Sequence, residues 1–172
     1  MTKRLFAIIM LMTILLSGCR ANNKDPNSYT FYFPKEEIEF TADDGVVSAE
    51  TRKLPNLSGD YKAILNDYLL GPATADLKNP FPVASAVLDV SIEGKRAYIT
   101  LNNRFSILKD YSFSLACACM AKTVFSMIDV DDVVIQAQGN FANGSISVAY
   151  SRSSFFNDDE AKALGIASQN KE

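Results

Sequence analysis

The chain has 172 residues, 48% of them hydrophobic, and a formal net charge of -3, the profile of an ordinary single globular domain. Its mildly acidic balance offers no basic stripe for a phosphate backbone and excludes nucleic acid as a partner. Histidine is absent, which removes Ser-His and Cys-His nucleophile pairs, His metal clusters and the commonest general acid/base.

Taken from its start, the chain opens with Lys3-Arg4 and an apolar run from Leu5 to Leu16 whose only polar residue is Thr13. That run is shorter than the about 20 residues a membrane span needs. Leu16-Ser17-Gly18-Cys19 follows, and this string resembles a bacterial lipobox, in which Cys19 receives lipid before cleavage. Residues 1–18 are therefore read as a lipoprotein signal peptide and Cys19 as the lipidation site. Residues 19–28 are polar, with one Pro, and read as a tether.

Thr30-Phe31-Tyr32-Phe33-Pro34 is aromatic and β-branched, which argues for a strand ended by Pro34. Lys35 to Gly45 is an acidic loop with Asp43-Asp44-Gly45 as turn residues, and Val46 to Leu54 reads as a second strand. Ser58 is placed to cap a helix from Gly59 to Leu70, with Tyr61, Ile64, Leu65, Tyr68 and Leu69 on one face and Gly71-Pro72 as its stop. A loop runs to Pro82.

Leu88, Val90 and Ile92, then Ala97, Ile99 and Leu101, alternate with polar residues on either side of Gly94-Lys95. A two-residue type II′ turn there places Glu93 opposite Arg96, Val90 opposite Ile99 and Leu88 opposite Leu101. Phe113, Ala116, Cys117, Met120, Val124 and Ile128 recur at helical spacing and form an apolar stripe over that hairpin. Val133 to Ile135 returns as a strand, and strand, helix, strand predicts a parallel pair. Ser145 to Tyr150 is strand-like, and Asp158 to Leu164 reads as a short capped helix. The expected fold is a single α+β domain in ββαββαβ order, with a mixed sheet of about five to six strands and two main helices packed on one face. The domain is assigned to residues 29–151 and a C-terminal extension to 152–172.

Cys117 and Cys119 stand two apart on the second helix. They point about 200° apart, so they neither pair nor chelate one ion, and they read as small buried side chains.

The order of elements and several strings resemble the GerMN domain of the lipoproteins of spore germination and sporulation. The matching pieces are Phe31-Tyr32-Phe33-Pro34, Arg52, Leu69-Leu70-Gly71-Pro72, the hairpin from Leu88 to Leu101, and the second helix running into Val133 to Gly139. Thr100 departs from the family, which commonly has an acidic residue there, and so do Asp129 and Val130, where it has Gly or Pro. The resemblance implies a membrane-anchored extracytoplasmic domain in sporulation, germination or envelope assembly, with no catalytic residues.

No catalytic set, metal set or cofactor site is expected, and the chain is expected not to be an enzyme. A hydrolase would need two carboxyls across a cleft, and the spacing of Asp89, Glu93, Asp131 and Asp132 does not supply them. The leading expectation is a module that docks onto an envelope or sporulation protein through a sheet edge or through the outward face of the hairpin: Asp89, Ser91, Arg96, Tyr98 and Thr100. The alternative is a binder of peptidoglycan or a small envelope ligand, with Tyr32, Tyr98 and Tyr150 as aromatic platforms.

Overall fold

A computed structural model describes residues 25–37, 45–139 and 144–155. The signal segment with Cys19, most of the tether, Asp43-Asp44 and the helix expected from Asp158 lie outside the described residues.

Strand β1 (Ser28–Pro34) pairs antiparallel with β2 (Val47–Lys53), Phe31 standing opposite Glu50. Helix α1 (Tyr61–Leu69) leads by a loop to β3 (Val87–Glu93) and β4 (Arg96–Leu101). Helix α2 (Asp110–Met127) then leads to β5 (Asp132–Gln138) and β6 (Ser145–Ser151). The class, the two helices and the six strands agree with the sequence, but the strands divide into a β1-β2 ribbon and a four-stranded sheet ordered β3-β4-β5-β6. The physical reason lies on α2, whose hydroxyls occupy the outer edge of β1. Tyr32 N donates to Thr123 Oγ1 at 3.0 Å and Ser126 Oγ donates to Thr30 O at 2.8 Å, so that edge has no free groups at Thr30 O and Tyr32 N to extend the other sheet.

The predicted parallel pair is β4 with β5, and the remaining neighbours are antiparallel. Gly94 turns the hairpin with φ +60° while Lys95 stays at negative φ, as a type II′ turn requires. The register holds from Glu93↔Arg96 to Asp89↔Thr100 and then slips, so that Val87, not Leu88, meets Leu101. Asn66 explains the slip. Its amide accepts from Val87 N at 3.0 Å and donates to Val87 O at 3.1 Å, drawing Val87 into the core and leaving Leu88 in a bulge, exposed.

Helix α1 begins two residues later than expected. Pro55–Leu57 forms a 3-10 turn, and Asp60, not Ser58, caps the helix by accepting from Ala63 N at 2.9 Å. It ends as predicted: Gly71 has φ +100° and donates its N–H to Tyr68 O. A Cβ on Gly71 would also stand 2.7 Å from Asn79 Nδ2.

The core runs as one cluster through both sheets and both helices. Tyr68 sits among Phe31, Phe33 and Phe81 with ring centroids 4.8 to 5.1 Å apart, a spacing typical of favourable aromatic pairs. Its fully buried hydroxyl donates to Tyr32 O at 2.6 Å, tying α1 to β1. At the far end of α2, Arg152 donates to the carbonyls of Phe125, Ile128 and Val130 at 2.7 to 3.0 Å, so a cation closes the negative end of the helix dipole.

Candidate functional site

The four-stranded sheet has one face packed on the core and one face open to solvent. Register fixes what lies on the open face. One row runs Glu93, Arg96, Asp132 and Ser151; the next Ser91, Tyr98, Val134 and Ala149; the third Asp89, Thr100, Gln136 and Ser147. All five residues expected on the outward hairpin face are therefore on it, because Ala97, Ile99 and Leu101 alternate with Arg96, Tyr98 and Thr100 and are fully buried.

Arg96 binds Asp132 Oδ2 through Nη2 at 2.8 Å and Nε at 3.3 Å. Hydrogen bonding to Asp132, and then to Tyr98, holds its guanidinium above the ordinary arginine range. Lys95 pairs with Asp129 at 2.6 Å, while its carbonyl accepts from the N–H groups of Asp131 and Asp132. The β3-β4 turn is thus fastened to the connection entering β5. Together Glu93, Lys95, Arg96, Tyr98, Asp131 and Asp132 line an open depression of about 340 Å³. Three of the carboxylates considered for hydrolysis meet there, but Asp132 is held by Arg96, and Asp89 stands on the row farthest away. The result is a mixed-charge surface with one aromatic ring beside it, suited to contact.

The tyrosine platforms separate. Tyr98 is half-buried on the open face. Tyr32 is buried, with the Lys122 ammonium 4.8 Å from its ring centroid. Tyr150 lies opposite buried Val133 on the core side and packs on Phe155 at 5.5 Å. Alternation alone does not say which side of a strand meets a helix, so Tyr32 and Tyr150 were indistinguishable from Tyr98 in the sequence.

The most tightly bound charges lie elsewhere. Glu50, 9% exposed, accepts from Arg52 Nε at 2.5 Å and from the N–H groups of Ala73 and Thr74 at 2.9 and 2.8 Å. Burial alone would raise its carboxyl, but the hydrogen bonds from Thr74, Arg52 and Ala73 prevail and bring it down to about 2. Arg52 also binds Asp67 and the Gly71 carbonyl and lies over Phe31 and Phe33 at 5.0 and 5.6 Å. With all these partners inside the fold, this cluster locks β2 to the Leu-Leu-Gly-Pro turn and offers nothing to a substrate. In sequence, Glu50 looked like any polar residue of an exposed strand.

Cys117 and Cys119 are both buried, and burial pushes each thiol up to about 12. Neither should react with a maleimide in the native state, and both should after denaturation. Rapid native labelling of the pair would show that α2 is not packed in this way.

No protein-family profile and no curated protein matches the chain. Among solved structures it is similar to the tandem GerMN domains of the sporulation protein GerM from Bacillus subtilis, at 18% identity and a TM-score of 0.50. That match covers 70% of this chain and 42% of that one, so the chain spans less than half the tandem structure's length. A proposed lipoprotein from Clostridium perfringens also matches, at 14% identity and a TM-score of 0.40, covering 73% of this chain and 87% of that one. Strand pair, helix, bulged hairpin, second helix and closing strand pair are thus the parts of a GerMN-like domain, and that is the fold of this chain.

Proposed function

We propose that the chain is an extracytoplasmic lipoprotein, held to the membrane through Cys19, whose GerMN-like domain docks onto an envelope or sporulation protein without catalysing a reaction. The observation that carries this reading is the open face of the four-stranded sheet. Half-buried Tyr98 sits at its centre beside Val134, which is itself buried, with an exposed Arg96–Asp132 pair at one end. Aromatic and arginine side chains around an apolar centre are the residue types that anchor protein contacts. The sporulation context comes from GerM, described as a sporulation protein. The lipid anchor rests on the string ending at Cys19.

The test is a paired change, Arg96→Ala with Tyr98→Ala, in the full lipidated chain, followed by crosslinking and pull-down from sporulating and vegetative cells. The Arg96–Asp132 pair is half exposed, and exposed pairs add little to stability, so the thermal midpoint should stay nearly unchanged. Partner enrichment should be lost. Unchanged enrichment would remove this face from consideration, and loss of binding to purified peptidoglycan instead would transfer Tyr98 to the ligand-binding alternative.

A further inference from the structure

An exposed sheet edge is a template for pairing with another chain, and folded proteins guard such edges with charges, bulges, prolines or a covering element. Three edges here are guarded among the described residues. The free side of β1 is satisfied by Thr123 and Ser126 of α2. The edge strand β2 carries Glu50, Arg52 and Lys53. The edge strand β3 has the Leu88 bulge, Asp89 and Glu93, and Asn66 clasps its first residue. The fourth, β6, reads Ser-Ile-Ser-Val-Ala-Tyr-Ser from Ser145 to Ser151. It has no charge, no proline and no bulge, its register against β5 being continuous throughout.

Hydrogen-bond phase shows which groups of β6 face outward. Arg152 N donates to Asp131 O and Gly139 N donates to Gly144 O. In the continuous antiparallel ladder between them, bonded pairs alternate, so Ile146, Val148 and Tyr150 bond to β5. The N–H and C=O groups of Ser145, Ser147, Ala149 and Ser151 point away from the sheet.

We infer that this edge pairs with β6 of a second copy of the chain, antiparallel, about a two-fold axis at Val148. The strand is its own complement in that register. Ser145 meets Ser151 of the other copy and Ser147 meets Ala149, and these are the residues with free backbone groups. Ile146 meets Tyr150 and Val148 meets Val148 in the close, non-bonded positions, where β-branched and aromatic side chains pair favourably. All three lie on the core side of the sheet and are half-buried, Tyr150 packing on Phe155, so the pairing continues the apolar core across the axis. Charge permits the match: the row from Asp132 through Ser151 continues into Ser145 and Gln138 of the second copy, and no like charges are opposed. The product is one eight-stranded sheet whose two open faces lie on the same side, because side chains opposed across an antiparallel pair point the same way. Each partner contact would then be doubled.

The test uses the full chain in mild detergent with Cys19→Ser, so that buried Cys117 and Cys119 are the remaining native thiols. Val148→Cys places two thiols across the axis within disulfide reach, whereas Ser145→Cys places them at opposite ends of the paired strands. Under mild oxidation the Val148→Cys variant should form a covalent dimer at least about tenfold faster than Ser145→Cys. Adding Ser147→Pro to Val148→Cys should abolish that difference without unfolding the domain, because the lost N–H points away from β5. Unchanged far-ultraviolet dichroism checks the fold. Equal crosslinking rates for the two cysteines, a crosslink that survives Ser147→Pro in the folded chain, or a monomer mass by sedimentation at about 100 µM, a level that populates even weak dimers, would each overturn the inference.

Discussion

Replacing Arg52 with Ala is expected to destabilise the domain by about 3 kcal/mol, because removing one partner of a buried ion pair leaves the other charge without its counterion. Glu50 would keep the N–H groups of Ala73 and Thr74 but lose its cation, and the Gly71 carbonyl and the rings of Phe31 and Phe33 would lose the guanidinium laid against them. The same cluster predicts an acid limb. The Glu50 carboxyl is depressed from 4.5 to about 2 in the folded state, so its stabilisation is fully present above pH 4.5 and disappears as pH falls towards 2. Over that window the loss is about 3 kcal/mol, taking about 1.4 kcal/mol for each unit. Urea unfolding measured from neutral pH to pH 3 should show stability declining in the wild type, with a smaller decline in Glu50→Gln. An Arg52→Ala variant within about 1 kcal/mol of the wild type would be the outcome of an exposed, dispensable pair, and would contradict the lock described here.

Alternation and helical spacing depend on which side chains are apolar, and at those positions the sequence was legible: the hairpin with Gly94 at its turn, the parallel β4-β5 pair, the buried face of α1 and its stop at Gly71. What could not be read depends on hydrogen bonds made over long separations. Thr123 and Ser126 hold β1 out of the larger sheet, Asn66 shifts β3 by one residue, and Glu50 is buried by a loop that begins at Ala73. In each case a polar side chain satisfies a backbone group far away in sequence, and a polar residue carries no periodicity that announces its partner. The open face was legible as a polar set on β3 and β4, but its rows continue through Asp132, Val134 and Gln136 of β5. Only the pairing of two strands separated by a helix makes those residues neighbours.

Replacing Cys19 with Ala is expected to remove stable membrane association, the largest change that a single residue of this chain should produce. Each buried methylene of an acyl chain contributes about 0.8 kcal/mol, and stable anchoring needs two signals, since one chain binds only marginally. If Cys19 carries the anchor as proposed, losing it removes all the attached acyl chains at once. No helix among the described residues is long and apolar enough to cross a membrane. The apolar run from Leu5 to Leu16 is shorter than the about 20 residues that a membrane span needs. Membrane fractionation with and without a high-salt wash separates the cases, with mass spectrometry of the N-terminal peptide reporting the acyl chains directly. The wild type should pellet in both conditions and carry the lipid mass on Cys19, while the Ala variant should move to the soluble fraction. If the Ala variant pellets and resists salt, the anchor lies elsewhere, and the docking face would have to be sought on a domain held to the membrane by other means.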